Sequence, residues 1–396
     1  MKRDDLCDAV RRRLRRLPDP FAAHYGVVPL PPPEDSLDLR PVRLQCEQAQ
    51  AAMVRADVLA ATLPDPWLVS RVLTRREAVA SSSIEGTNST LDELLTVEET
   101  ADDAATDAAR QVRDYALALD TLLPEARAQG PSLFTMELVC RLHRLVMADD
   151  PDYSDVPGEF RRRVVWIGGR DIAYSTFNPP PPDDVPSCLE ETMDYMRCSG
   201  MQAVTQSLLT RMAVAHAHFE AVHPFRDGNG RVGRLLLPLS MAADSHIPLY
   251  LSPYIDAHRN AYNDALKAAQ QRLELAAIVA FMADAVVGTV DELQATATAL
   301  TALQALWRQR RKFRGGSTAL RALAMLPHYP VVTVSRLSAV LGVSFHSASQ
   351  AVGSLVDAGI LTERTGYTRN RIFSAPEVLS VLNRPFSAEP ILPDAR

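Results

Sequence analysis

The segment from His223 to Arg234 constrains this chain more than any other: His-Pro-Phe-Arg-Asp-Gly-Asn-Gly-Arg-Val-Gly-Arg. It combines an imidazole, a carboxylate, a carboxamide, three glycines and three arginines. Apolar residues recur at helical spacing from Leu208 to Val222, which predicts a helix that ends just before His223. Pro224 disfavours helical backbone in the residue before it, so we expect the imidazole at the C-terminal end of a packed helix.

The glycines predict an anion-binding loop. Glycines at alternate positions permit positive φ and close approach of the main chain, and consecutive amides can then turn toward an anion. A helix is predicted from Arg231 to Met241, and its N-terminus points at the same anion. Pro238 lies inside that helix, so we expect a kink or an early break there.

The charged residues of the segment indicate phosphate-bond chemistry. Arg231 and Arg234 lie one helical turn apart, and guanidinium groups match phosphate oxygens two bonds at a time. Asp227 is available for a hard cation such as Mg²⁺, which binds one or two carboxylates together with the phosphates of the substrate. His223 titrates near neutral pH and can accept a proton from an attacking hydroxyl.

Simpler interpretations fit single parts of the segment but not the whole. A histidine at a helix end is usually a structural residue, and Asp-Gly-Asn-Gly is usually a turn. A calcium loop is excluded, because Val232 stands at the sixth position, where the loop needs glycine. A dinucleotide-binding loop is excluded as well, because a helix rather than a strand precedes the glycines.

The complete segment resembles the signature of the Fic family, His-Pro-Phe-x-Asp-Gly-Asn-Gly-Arg-x-x-Arg, at every fixed position. Typical members transfer AMP from ATP to a hydroxyl side chain of a protein and release pyrophosphate. The resemblance implies that His223 is the general base, that Asp227 holds Mg²⁺ and that Arg234 binds the γ-phosphate. It also implies a shared set of phosphate-binding residues, namely Gly228, Asn229, Gly230, Arg231 and Gly233.

A second resemblance lies upstream, from Ser81 to Gly86. It is similar to the inhibitory helix of many Fic proteins, Ser/Thr-x-x-x-Glu-Gly/Asn. Ser81 and Glu85 share a helix face, and Gly86 suits a helix C-cap. In that class the glutamate pairs with the second arginine of the signature, here Arg234, and blocks the γ-phosphate site. The resemblance therefore implies an inhibitory helix over about residues 72–86.

A β-hairpin is predicted from residues 161–167 and 171–177, which are rich in β-branched and aromatic side chains and are separated by Gly-Gly-Arg. In the Fic family this hairpin is the flap that holds the target segment by strand pairing. A plain structural hairpin remains the alternative. The residues that the resemblance assigns to target binding are Ile172, Ala173, Tyr174, Ser175 and Thr176.

Residues 251–263 are similar to the segment that lines the adenine pocket in this family. Tyr262 is the candidate lining residue. Many members carry two aromatic residues here, whereas this chain has Asn263 in the second place. The base preference is therefore left open.

Composition favours a cytoplasmic globular protein. The 396 residues suffice for two or three domains, and 47% hydrophobic with 23% charged residues is typical of a soluble chain. The five cysteines are widely spaced and odd in number, which argues against disulfides or a zinc site. We expect neither a secretory signal nor a membrane span, because no apolar run approaches about 20 residues.

The C-terminal part predicts a winged helix. A basic stretch at 306–316 ends in two glycines, and helices are predicted at 317–326, 334–341 and 344–358, followed by strand-like ends over 361–373. Residues 308–396 carry twelve basic against five acidic side chains, which makes DNA a candidate partner. The second helix of the motif has no Arg or Lys in its first two turns, so docking of a protein or dimerisation is the alternative.

Together these patterns predict a mainly α protein: a Fic-type helical bundle with one β-hairpin flap, and a C-terminal winged helix-turn-helix domain. The expected domains are an N-terminal helical region (1–100), a catalytic domain (101–305) and the winged helix (317–385). The leading functional hypothesis is a self-inhibited enzyme that uses ATP and Mg²⁺ to transfer AMP to Ser, Thr or Tyr of a protein or of itself.

Two alternatives stay open at this point. One is a DNA-binding regulator whose Fic domain senses nucleotide or modifies only itself. The other is an enzyme that uses the same site to remove AMP, with Glu85 helping to activate water. The resemblance also leaves a homodimer open.

Overall fold

A computed structural model describes residues 1–62, 66–100, 106–366 and 370–393 as a mainly helical chain. The helices are α1 (Asp8–Arg11), α2 (Arg43–Thr62), α3 (Pro66–Ile84), α4 (Leu91–Thr100), α5 (Asp107–Gln129), α6 (Met136–Val146), α7 (Val185–Met196), α8 (Gln202–Thr205), α9 (Leu208–Val222), α10 (Asn229–Ala243), α11 (Ser252–Ala257), α12 (Arg259–Arg272), α13 (Leu275–Arg310), α14 (Thr318–Met325), α15 (Val334–Leu341), α16 (Phe345–Asp357) and α17 (Pro376–Leu382). Strands are β1 (Leu14–Arg16), β2 (Tyr25–Val27), β3 (Val331–Thr333), β4 (Thr362–Glu363) and β5 (Ile372–Ser374). Single turns of 3-10 helix lie at Arg3–Asp5, Arg40–Val42, Gly130–Leu133, Ile172–Tyr174 and Pro182–Asp184.

Helices α9 and α10 form the centre of the larger body. Helix α9 begins after the capping hydroxyl of Ser207 and ends at Val222, as the periodicity predicts. Helix α10 is buried along almost its whole length between α5, α6 and α9. The early break expected at Pro238 is wrong, because α10 continues to Ala243. Packing on all sides offsets the hydrogen bond that a proline removes from a helix.

Helix α13 connects the two parts of the molecule. Its 36 residues span about 54 Å at the α-helical rise. The first part packs against α2, α9 and α12, and the last turns carry Leu303 and Trp307 into the C-terminal core. The domain boundary expected after residue 305 therefore lies inside a helix. The buried apolar face continues to Trp307, so the helix does not end before Arg310.

The expected hairpin strands at 161–167 and 171–177 are wrong as strands. The structure has one antiparallel bridge, between Ile167 and Phe177, at the base of a loop. Within the loop, the carboxylate of Asp171 accepts the N–H of Ala173 at 2.8 Å and caps the 3-10 turn Ile172–Tyr174. This local side-chain contact competes with the strand ladder. The segment 161–180 is called the flap segment below.

The C-terminal part follows the order α14, β3, α15, α16, β4, β5. The strands form an antiparallel sheet in the order β3-β5-β4, with Val331 opposite Ser374 and Thr362 opposite the same residue. Gly342 adopts positive φ in the tight turn between α15 and α16. This arrangement agrees with the winged-helix interpretation, which stays a prediction. Arg369, one of the basic side chains counted over residues 308–396, lies outside the described residues.

Helix α4 joins the N-terminal region to the C-terminal part. Leu91 and Leu95 are buried in the same apolar cluster as Val331. On the surface, Arg364 donates to the carboxylate of Asp92, with one of the two bonds at 2.9 Å. Basic side chains of the C-terminal part are therefore engaged by acidic ones of the N-terminal region.

Among the described residues no single helix has the length and apolar character needed to cross a membrane, although the bent pair α15 and α16 meets that test when taken together.

Candidate functional site

His223 lies where α9 ends. It is the C-cap residue, its N–H donates to the carbonyl of Phe219 at 3.0 Å, and its backbone is left-handed with φ of 49°. A non-glycine residue in this conformation is strained and needs support from its surroundings. The imidazole is partly buried. Burial, and next the positive charge of Arg161, lower the pKa of His223 to about 4, while the carboxylates of Glu85 and Asp227 oppose them. The ring is therefore neutral at pH 7 and able to accept a proton.

The loop after His223 is closed by Asn229. Its carboxamide oxygen accepts the N–H of Phe225 at 2.8 Å, and its NH₂ donates to the Phe225 carbonyl at 2.9 Å. Gly228, between them in sequence, has φ of 76° and caps α10. Both polar groups of the Asn229 side chain are thus used within the loop, so this residue shapes the loop and does not offer its side chain to a phosphate.

His143 supports the loop from α6. Its Nδ1 accepts the N–H of Gly158 at 2.8 Å, so the proton of the neutral ring sits on Nε2, which donates to the Asp227 carbonyl at 3.1 Å. The ring also stacks on Phe225, with centroids 3.7 Å apart. Burial lowers the pKa of His143 to about 4, which keeps this tautomer neutral.

Arg234 joins the start of α10 to the end of α3. Its Nε donates to the hydroxyl of Ser81 at 2.9 Å, and its Nη2 donates to the Ser81 carbonyl at 3.0 Å and to Glu85 at 2.6 Å. The side chain is almost fully buried. The resemblance implies the pair of Glu85 with Arg234, and the structure adds the two bonds to Ser81. Gly86, with φ of 89°, ends the segment that presents Glu85.

The Glu85 carboxylate occupies an anion position at the N-terminus of α10. A Cβ on Gly230 would lie only 2.2 Å from Glu85 Oε1, so the carboxylate sits directly against the backbone of Gly230. Burial alone would raise the pKa of Glu85, but the charge of Arg234, assisted by Arg231, outweighs burial and lowers it. Helix N-termini favour anions at this place. A phosphate and Glu85 cannot occupy it together.

Asp227 and Arg231 lie on the other side of the loop. Asp227 Oδ1 accepts the N–H of Gly228 at 2.6 Å. The Arg231 guanidinium contacts the Val146 carbonyl at 3.4 Å and the carboxylate of Asp150 at 3.6 Å, and does not share the partners of Arg234. In the described part of the chain, no three His, Cys, Asp or Glu side chains are grouped as metal ligands. The donor set fits an Mg²⁺ ion that takes one carboxylate from Asp227 and its other ligands from substrate phosphates.

Tyr262 lies beside Arg234, whereas the flap residues belong to a separate segment. Tyr262 is buried in the core, and its hydroxyl lies 2.7 Å from His216 Nε2, so its ring does not face an open adenine pocket. In the flap segment, Ile172 and Ser175 are buried, whereas Ala173, Tyr174 and Thr176 are exposed.

Gly233 packs against the carboxyl of Glu220. A Cβ placed on Gly233 would lie 2.4 Å from Glu220 Oε1.

Sequence reasoning missed two residues of the site, His143 and Arg161. Their partners are backbone groups 84 and 62 residues away, so no local pattern reveals them. Arg161 is the first of three consecutive arginines, and nothing in that run shows which of them is buried.

The structure thus places a histidine at a helix end, a glycine loop and an arginine of the following helix in consecutive elements. Residues 133–241 match the Fic/DOC family and residues 43–121 match the N-terminal region of the same family. These two segments of the chain are thus similar to the Fic/DOC domain and to the N-terminal region that accompanies it.

Relatives and solved structures agree with this assignment. Protein adenylyltransferase Fic of Aedes aegypti is 30% identical over 158 residues, which is 40% of this chain and 28% of the relative. A probable protein adenylyltransferase of Aquifex aeolicus is 31% identical over 115 residues, 28% of this chain and 33% of the relative. The chain thus spans only about a third of the length of these curated relatives.

The fold is shared with solved Fic structures. A Fic family protein from Desulfovibrio desulfuricans G20 superposes with a TM-score of 0.53 at 20% identity, covering 87% of this chain and 98% of the other. Fic-1 from C. elegans gives 0.51 at 21% identity, covering 65% and 74%. These likenesses concern the fold alone.

Proposed function

We propose that the protein is an adenylyltransferase that moves AMP from ATP to a hydroxyl of a protein target or of its own chain, and that Glu85 restrains it. The observation that supports this most is that Glu85 and the phosphate chain of a nucleotide would take the same position at the start of α10. There the Glu85 carboxylate lies against Gly230 and Arg234, where the phosphate chain of a nucleotide would lie in a Fic-type site. The curated relatives named protein adenylyltransferase add to the support.

His223 acts as the general base in this proposal. Its neutral imidazole accepts the proton of the target hydroxyl while the hydroxyl oxygen attacks the α-phosphorus. A bond forms between that oxygen and phosphorus, the bond to the β-phosphate oxygen breaks, and pyrophosphate leaves. The amides at the start of α10 and the guanidinium of Arg234 stabilise negative charge on the phosphate chain without reorganisation.

Mg²⁺ would be held by Asp227 together with the phosphates, and when bound it neutralises charge on the leaving pyrophosphate. The exposed part of the flap segment is the proposed contact for the target, with Ala173, Tyr174 and Thr176 accessible. The bridge at its base leaves most backbone groups of the flap free of a strand partner among the described residues. Ile172 and Ser175 contribute by fixing the turn from inside.

Labelled nucleotide tests this function. Purified protein is incubated with Mg²⁺ and ATP labelled at the α-phosphate, as wild type, Glu85→Gly, Glu85→Gln and Glu85→Gly with His223→Ala. We expect weak labelling of wild type and no labelling without His223. Labelling should be at least about 10-fold stronger in both Glu85 variants, which is a typical size for the coupling between two sites of one protein. Glu47→Gly, at an exposed ion pair on α2, is the control and should match wild type.

Other results would redirect the proposal. Equal labelling of wild type and Glu85→Gly would remove the inhibitory role, and transfer of a γ-label alone would mean phosphorylation. Removal of AMP is distinguished by starting from labelled protein: there the wild type, but not Glu85→Gln, would release AMP.

DNA binding, dimerisation and a cytoplasmic location stay predictions. The first turns of α16 carry His346, Ser347, Ser349 and Gln350, the side chains expected to reach a base edge. A gel shift of the full chain with genomic fragments tests DNA binding. Specific contact must weaken with added salt, so absent or salt-insensitive binding would end this idea.

A further inference from the structure

Arg161 is a buried cation whose partners are all main-chain carbonyls. It is 3% exposed. Its Nε donates to the His223 carbonyl at 2.8 Å, and Nη2 donates to the Pro180 carbonyl at 2.7 Å and the Val222 carbonyl at 3.4 Å. Nη1 donates to the Arg163 carbonyl at 3.2 Å. None of the ion pairs found among the described residues involves Arg161.

Such an arrangement is costly unless the position needs it. An arginine removed from water without a carboxylate partner loses its hydration, and only its hydrogen bonds compensate. Burial lowers the pKa of Arg161 to about 10, which leaves it charged at neutral pH. A neutral side chain of similar volume would fill the same space without the free-energy cost of burying a charge. The hydrogen bonds of the guanidinium are therefore the reason for an arginine at this position.

Two of these bonds end on main-chain carbonyls, one of the proposed base and one of the residue before it. The carbonyls of Val222 and His223 are the last of α9, where a helix leaves acceptors unsatisfied and favours a positive charge. His223 is also the residue with left-handed backbone. Holding its carbonyl fixes the peptide plane after it, and with that plane the direction in which the imidazole leaves the main chain. The N–H of Arg161 adds a bond to the Pro224 carbonyl at 3.0 Å.

The other two bonds end in the flap segment. The Arg163 carbonyl lies near the start of the flap segment, and the Pro180 carbonyl lies at its end. The bridge between Ile167 and Phe177 stands between them in sequence. One guanidinium therefore joins both ends of the flap segment to the peptide that carries the base.

We propose that Arg161 is a positioning residue, which sets the imidazole of His223 in register with the flap segment so that a target hydroxyl held there meets the base. The inference rests on the proposed AMP transfer and deepens it. Arg161 touches neither nucleotide nor target; it acts through the main chain of His223.

The test compares Arg161→Met and Arg161→Lys in the Glu85→Gly chain, with labelled ATP. Methionine keeps the volume but makes no such bonds, and we expect kcat to fall about 100-fold, the cost of a misplaced base, with the KM for ATP changed less than about 3-fold. Lysine keeps the charge and reaches fewer carbonyls, so its kcat should lie between. The acid limb of the pH–rate profile should move to higher pH in Arg161→Met, because a positive charge beside the imidazole is lost.

A second readout does not need activity. The ring signals of His223, assigned with His223→Ala, are titrated by NMR in the Glu85→Gly chain, and Arg161→Met should titrate at higher pH. Arg13→Met is the matched control, because Arg13 also donates to two carbonyls, Val28 and Pro29, away from the site. An unchanged titration with kcat within about 3-fold would overturn the proposal.

The outcomes separate the two hypotheses. A Glu85→Gly chain without AMP transfer would end the proposed function, while the titration would still decide on Arg161. If Arg161→Met does not fold, Arg161→Lys carries the test: full kcat with an unchanged acid limb would overturn the positioning role.

Discussion

Glu220 shows what a single buried carboxyl does beside a charged site. It lies on α9 directly under Gly233, with Oε1 lacking a hydrogen-bond partner among the described residues. Burial raises its pKa to about 7, although Arg234 pulls the other way, and the nearby Glu85 adds to the rise. The folded protein therefore prefers Glu220 protonated, whereas the unfolded chain releases that proton near pH 4.5.

This preference makes stability depend on pH. The contribution of protonated Glu220 is complete below about pH 4.5 and is lost as pH rises toward 7, so wild type should weaken over that window. Glu220→Gln has no such proton to release, and we expect its free energy of unfolding relative to wild type to improve by up to about 3 kcal/mol from pH 4.5 to 7. Urea unfolding at both ends of the window measures this. A difference that stays constant with pH would contradict it.

Single residues of the site were predicted where a helix period or a family motif carries the information. The period places His223 at a helix end, and the resemblance of the upstream motif pairs Glu85 with Arg234 across 149 residues. Asn229 stays a predicted phosphate-binding residue, and the structure adds that its carboxamide closes the loop by two bonds to the main chain of Phe225. Arg161 and His143 could not be predicted, because their acceptors come from distant segments that only the fold brings near.

At the scale of elements, α3 is held by a buried ionic network well before its last turn. Arg75 is 3% exposed and bonds Glu98 of α4 at 2.7 Å and Asp120 of α5 at 2.6 Å. Three helices thus meet at one guanidinium. The turn that presents Glu85 is therefore carried by a fixed helix, so a change at Glu85 need not disturb the rest of α3.

Removing this junction should cost stability. Arg75→Met leaves Glu98 with less compensation in a buried place, and we expect a loss of about 3–5 kcal/mol in the free energy of unfolding. Arg55→Met is the comparison, since its pair with Asp291 is exposed on both sides and should contribute less than about 1 kcal/mol. Equal losses in the two variants, measured by urea denaturation, would refute the role of burial.

Elements were predictable where caps and periods agree. Ser207, Thr333 and Ser344 each accept an amide at a helix start, and the three helices begin where the sequence predicts. The flap failed because the capping carboxylate of Asp171 favours a turn over a ladder. The helix break expected at Pro238 is not found, because the low helix propensity of proline is outweighed by burial of α10 on all sides.

For the whole molecule, the two parts of the chain are joined by contacts that no sequence pattern indicated. Arg336 pairs with Glu99 at 2.9 Å, and Arg364 pairs with Asp92, both across from the C-terminal part to α4. Arginines that the charge count assigned to a nucleic acid are used inside the molecule. Long-range pairing of this kind depends on the assembled fold.

A charge exchange tests this joint. Arg364→Asp and Asp92→Arg should each lower the free energy of unfolding, and the double variant should recover part of the loss, with a coupling of about 1 kcal/mol for a half-exposed pair. Thermal and urea unfolding of the four proteins give the cycle. Purely additive losses would mean that the contact contributes nothing.

The tethering of Glu85 has one further consequence. In the proposed function, a carboxylate carried by the same folded chain as Arg234 competes with nucleotide as an intramolecular group, so its effective concentration does not depend on the amount of protein. Dilution of the protein leaves that competitor unchanged, whereas a regulator supplied by another molecule would dissociate. Restraint would accompany every newly made copy from the moment it folds, independent of abundance.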